Sequence, residues 1–186
     1  MRTVLGFDVS SSCIGYCHLE IDDNNKIKFI SCNYLKPIKK GNIIERVVHT
    51  RNKINDIIEN VKPDYIGIED IIQFMRGHST AKTIIMLTTF NRMIGLASYD
   101  FLKKSPELFN VMSIRHFIKK QANLKSLPQK EELPKILESL LNIKFPWEFN
   151  KNGKAKTENY DKSDAICCAY YYATQITSNI KDKKSK

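Results

Sequence analysis

Leu5-Gly6-Phe7-Asp8 and Ile66-Gly67-Ile68-Glu69 are two apolar runs that each end in an acid, with glycine two residues before it. Side chains two apart on a strand share a face. In both runs the acid's face is therefore cleared of bulk at the previous position, and another element can pack close beside Asp8 and Glu69. A third stretch, Asp161-Lys162-Ser163-Asp164, begins a helix-like segment able to fill that role. The chain between the runs constrains how they meet. Strand-like segments cover about 3–9, 13–21 and 26–35, linked by the turn sequences Ser10-Ser11-Ser12 and Asp22-Asp23-Asn24-Asn25, which predicts an antiparallel meander. Over 42–61 the residues Ile43, Ile44, Val47, Val48, Ile54, Ile57, Ile58 and Val61 fit a helix with one buried face. Pro63 closes it, and 65–69 returns as a strand. A strand–helix–strand connection makes a right-handed crossover to a parallel partner. With the first strand as that partner, Asp8 and Glu69 end side by side.

The remainder alternates. A long helix over 79–104 is apolar on more than one face, which fits burial within its own domain or an added subunit interface. A short strand at 109–112, a helical segment from Ser113, a helix over 128–142, a loop at 144–159 and a last helix over 160–178 follow. The sum is an α/β fold with a mixed five-stranded sheet flanked by helices, one domain over 1–180 and a lysine-rich, disordered tail at 181–186.

Across 186 residues, 30 Lys and Arg face 20 Asp and Glu, a formal net charge of +10 that favours a polyanionic partner, nucleic acid first. The five cysteines form no CxxC pair, as expected of reduced, structural thiols in an intracellular protein. Neither a signal peptide nor a membrane-length apolar run is visible. Carboxylates gathered from distant parts of a chain repel one another unless a divalent cation holds them, and an all-oxygen set suits Mg²⁺. Structural readings compete. Asp8 could form an Asx turn, and Asp161 and Asp164 could serve as N-cap and N3 residues of the last helix. Asp70 rivals Glu69, although strand alternation places Glu69 on the face of Gly67.

Gly6-Phe7-Asp8 with Gly15-Tyr16, Ile68-Glu69 with Phe74-Met75, and Asp161-x-x-Asp164-Ala165 leading into an Ala-rich helix stand in an order that resembles the RuvC-type Holliday junction resolvases of the RNase H-like superfamily. Val9-Ser10-Ser11 after the first acid, where bacterial members usually have Pro-Gly, looks more like the RuvC-like proteins of phages and large DNA viruses. The resemblance implies an RNase H-like sheet and a homodimeric, Mg²⁺-dependent endodeoxyribonuclease that cuts four-way or related branched DNA. Asp8, Glu69, Asp161 and Asp164 would be catalytic and would bind two Mg²⁺ about 4 Å apart, with Mn²⁺ as a substitute. Lys130 matches the family's lysine near the start of the penultimate helix. Phe74 beside Arg76 could stack on an unpaired base. Lys119 and Lys120, in a basic stretch with Arg115, His116 and Lys125, could contact phosphates. Such a protein would work wherever the DNA is, in a cytoplasm or nucleoid or at a viral replication site. Another RNase H-like nuclease acting on RNA–DNA hybrids or flaps, and a non-catalytic basic DNA-binding module, are the alternatives. An actin-like kinase would need more glycine-rich loops than seven glycines provide.

Overall fold

The computed structural model describes residues 1–71 and 80–184, with side chains as far as residue 179. Strands β1 (Arg2–Val9), β2 (Ile14–Ile21) and β3 (Ile27–Leu35) form the expected meander. Helix α1 (Ile43–Val61) then crosses to β4 (Tyr65–Glu69), which pairs in parallel with β1. Helix α2 (Ala81–Leu102) leads to β5 (Glu107–Phe109), parallel to β4. Helices α3 (Val111–Gln121), α4 (Leu133–Leu141) and α5 (Glu158–Lys184) complete the chain. The sheet order is β3-β2-β1-β4-β5.

Strand alternation splits the core in two. Leu5, Phe7, Val9, Ile14, Ile66 and Ile68 point to one face and meet Ile54 and Ile58 of α1 and Phe90, Met93 and Ile94 of α2. Val4, Cys17, Leu19 and Ile21 point to the other, under α3, α4 and α5. The acids at the ends of β1 and β4 belong to this second face, so what matters for them is how α5 is seated.

Glycine and alanine seat it. Gly6 and Gly67 are partners across β1 and β4, and Gly15 is the partner of Asp8 across β1 and β2. A Cβ on Gly6 would lie 2.6 Å from the Ala169 nitrogen and 2.8 Å from the Ala165 carbonyl oxygen. One on Gly15 would run into the Asp161 carbonyl. Ala165, Ala169 and Ala173, four apart along α5 and fully buried, supply the matching flat stripe.

Several boundaries differ from the sequence reading, each for a local reason. The expected strand at 109–112 ends at Phe109, because Asn110 caps α3 by accepting the Met112 amide and draws Val111 and Met112 into the helix. The helix expected over 128–142 begins at Leu133, with Pro134 in its first turn, where a missing N–H costs nothing. In α1, Ile44 and Val48 are expected on the buried face but are 64% and 53% exposed. They stand one residue past Ile43 and Val47, about 100° round the helix. Helix α5 starts at Glu158 and runs to Lys184, through part of the stretch expected as a tail. All five cysteines are free thiols, and no described helix is long and apolar enough to cross a membrane.

Candidate active site

Asp8 is the penultimate residue of β1, Glu69 closes β4, and the parallel register that pairs Phe7 with Ile68 brings the two ends together. Asp161 and Asp164 enter from the start of α5. Neither caps that helix: Glu158 is its first residue, so Asp161 lies in the first turn and Asp164 just beyond it. Neither acid is therefore the N-cap or N3 residue, although Asp161 stands in the first turn, where the helix dipole favours an acid.

The four acids feel one another. Burial, then the charges of Glu69 and Asp164, push Asp8 well above the usual carboxylate range. Burial and Asp164 push Glu69 up to about 8. Burial also raises Asp164, against the pull of Arg115 and Lys130. Two cations sit among them. Arg115 of α3 donates from Nη2 to Asp164 Oδ1 at 2.6 Å, both side chains largely buried. Lys130 Nζ lies 3.2 Å from Asp164 Oδ2 and 3.3 Å from Asp161 Oδ1. Burial works against the Lys130 ammonium, but Asp164, Asp8 and Asp161 outweigh it and its pKa rises.

Asp70 turns away from this cluster. It accepts from Arg92 Nη2 of α2 at 3.2 Å and from the Ile71 amide, while its own amide donates to the Phe109 carbonyl. Strand alternation separates the two acids on the same grounds. The buried Asn91 amide holds the Glu69 carbonyl at 2.9 Å, which fixes the end of β4 from the other face. No sequence signal pointed to Asn91, nor singled out Arg115 from its basic stretch; both depend on where α2 and α3 dock.

Lys119 and Lys120 lie in the last turn of α3, where positive charge also suits the helix dipole. Arg115 and Lys119 are one turn apart on the same side, so the basic edge of α3 leads away from the acids. Phe74 and Arg76 lie outside the described residues.

An all-oxygen donor set of mutually repelling, buried carboxylates has the chemistry of a Mg²⁺ or Mn²⁺ site. Among the described residues, however, no three acids surround one point as the side chains stand. Lys130 bridges Asp161 and Asp164 and is 43% exposed, so its side chain has room to swing outward. The residues suit such an ion in donor type, and in this arrangement Lys130 holds two of them.

The chain matches no protein-family model and no curated protein sequence. Its fold does have solved counterparts. Thermus thermophilus RuvC, in complex with a Holliday junction substrate, superposes with TM-score 0.70 at 15% identity, over 95% of this chain and 98% of that one. The yeast mitochondrial Holliday junction resolvase Ydc2 gives TM-score 0.68 at 15% identity, over 96% and 80%. The chain has the fold of the RuvC resolvases. Within the RuvC fold the acids of this chain stand on the first strand, the fourth strand and the last helix, as the order of the sequence motifs required.

Proposed function

We propose that the protein is a Mg²⁺-dependent endonuclease that cuts four-way or related branched DNA as a homodimer. One observation carries the reading: four carboxylates from β1, β4 and α5 share a partly buried site on the RuvC fold, in a chain of net charge +10. A non-catalytic DNA-binding module has no use for such a cluster beside its basic surface, since it repels phosphate. The Val9-Ser10-Ser11 variant of the first motif supports a kinship with phage and viral members on sequence alone.

Asp8, Glu69, Asp161 and Asp164 would hold the metal. Bound Mg²⁺ supplies Lewis-acid stabilisation of the attacking water and of the leaving 3′ oxygen. The protein supplies rigidity. Asp8 and Glu69 sit on paired strands, and Arg115 fixes the orientation of Asp164. Lys130, once displaced from Asp161 and Asp164, is positioned to meet a substrate phosphate. Lys119 and Lys120 extend the positive edge for the flanking duplex, and Phe74 with Arg76 would meet unpaired bases at the branch.

A homodimer fits the outer face of α2. Ile85, Leu96 and Tyr99 lie on one side of that helix, 64%, 64% and 49% exposed, and Leu108 of the edge strand β5 is 41% exposed. Two cuts placed symmetrically across a junction need two sites related by a two-fold axis, which a closed dimer provides.

The test is direct. Labelled junction, flap, RNA–DNA hybrid and linear duplex are each incubated with Mg²⁺ and the cuts mapped. Paired symmetric cuts in the junction are expected. Cutting confined to the hybrid would replace this reading with the other RNase H-like one, and no cutting of any substrate would remove the nuclease.

A further inference from the structure

Lys162 lies between two acids of the site, yet its side chain points the other way and is only 2% exposed. Its Nζ donates to the Pro146 carbonyl at 2.6 Å and to Glu148 Oε1 at 3.1 Å, and sits over the rings of Phe145 and Tyr34. Glu148, 35% exposed, has further partners on its protein side. Its Oε2 accepts from Lys156 Nζ at 2.9 Å and from the Tyr34 hydroxyl at 3.2 Å. Its backbone exchanges two hydrogen bonds with the fully buried amide of Asn159, at 3.0 and 2.7 Å.

A buried ammonium costs several kcal/mol of desolvation, and a well-packed apolar residue in its place is often neutral or stabilising. What Lys162 adds is direction. An apolar side chain would leave the first turn of α5 held only by its close backbone contact with Gly6 and Gly15. Hydrogen bonds from Lys162 and Asn159 to one three-residue segment, 146–148, permit one register. That register decides where Asp161 and Asp164 stand relative to Asp8 and Glu69.

We infer that Lys162 and Glu148 are positioning residues: the ion pair between buried Lys162 and partly exposed Glu148 sets the rotation of the first turn of α5 and so the metal-holding geometry of Asp161 and Asp164. The inference rests on reading those two acids as metal ligands. The full chain is compared with Lys162→Met, Glu148→Gln and the double variant. Four readouts are taken: urea unfolding, Mn²⁺ binding by calorimetry without DNA, junction affinity in Ca²⁺, and single-turnover junction cleavage in Mg²⁺.

Each single variant is expected to lose about 10–100-fold in Mn²⁺ affinity and in cleavage rate, as supporting partners of metal ligands do, while junction affinity holds. Removing both partners leaves no unpaired buried charge. The double variant should therefore regain stability but stay slow and weak for Mn²⁺. Recovery of rate together with stability would reduce the pair to a folding element and overturn the inference, as would single variants that cut and bind Mn²⁺ like the wild type. A wild-type chain that neither binds Mn²⁺ nor cuts any branched DNA overturns the underlying nuclease reading, and the inference falls with it.

Discussion

At the scale of single residues, Asp164 is divided between two cations: Arg115 takes Oδ1 and Lys130 takes Oδ2. Positive charge therefore helps to hold Asp161 and Asp164, whereas Asp8 and Glu69 are placed by the pairing of β1 with β4. Asp8→Asn, Glu69→Gln, Asp161→Asn and Asp164→Asn should each lower junction cleavage by about 10²-fold or more. DNA binding should stay level or tighten, because each change removes repulsion from phosphate. Gel-based cleavage and a titration in Ca²⁺ measure the two effects, and Asp70→Asn, which faces Arg92, should cut normally. Glu148 offers a prediction about pH. Hydrogen bonds from Lys156 and Lys162 hold its pKa down at about 2, against an ordinary 4.5. A depressed carboxylate stabilises the fold above its unfolded pKa and loses that contribution as pH falls through the folded one. Urea titrations of wild type and Glu148→Gln should thus differ most above pH 5 and converge as pH falls toward 2, with Tyr34, Lys156 and Lys162 the groups facing the site of change.

At the scale of elements, the seat of α5 separates rigid from yielding neighbours. A methyl group on Gly6 would meet backbone atoms of Ala165 and Ala169, whereas one on Gly67 would meet only the rings of Phe109 and Tyr172, at 3.0 and 3.2 Å. Gly6→Ala should destabilise the protein by about 1–3 kcal/mol in urea unfolding, and Gly67→Ala by less, because rings can turn and a helix backbone cannot. These glycines were also the most legible part of the sequence. Strand alternation in Gly6-x-Asp8 and Gly67-x-Glu69 gave the face and the close packing, and put Glu69 rather than Asp70 on the side of Asp8. The parallel pairing of β1 with β4 followed from the crossover rule. What stayed hidden depends on tertiary docking. The spacing of Arg115 shows a basic helix and gives no sign that α3 aims it at Asp164. Lys162 reads as one more surface lysine until the loop at 146–148 closes over it. Ile44 and Val48 misled because neighbouring apolar residues on a helix cannot all reach one face.

At the scale of the whole molecule, an apolar stripe on α2 stands on the side opposite the sheet, and the proposed dimer predicts its role. Leu96→Asp with Tyr99→Asp should convert a dimer to monomers in sedimentation velocity and abolish paired cutting, with the monomer remaining folded. A wild-type chain that stays monomeric at every concentration, with and without junction DNA, would exclude the dimer. Lys119→Ala with Lys120→Ala should weaken junction and duplex binding alike and flatten the salt dependence, the slope falling by about 0.9 for each phosphate that is no longer neutralised. The order of the acids along the chain has a consequence for how the proposed site is made. Asp8 and Glu69 leave the ribosome before Asp161 and Asp164, and all five strands of the sheet on which α5 rests are synthesised before that helix. A chain that ends before α5 would carry Asp8 and Glu69 without Asp161 and Asp164. On the proposed reading, cutting would begin only after the last motif had been translated and docked, so synthesis itself would act as the safety catch.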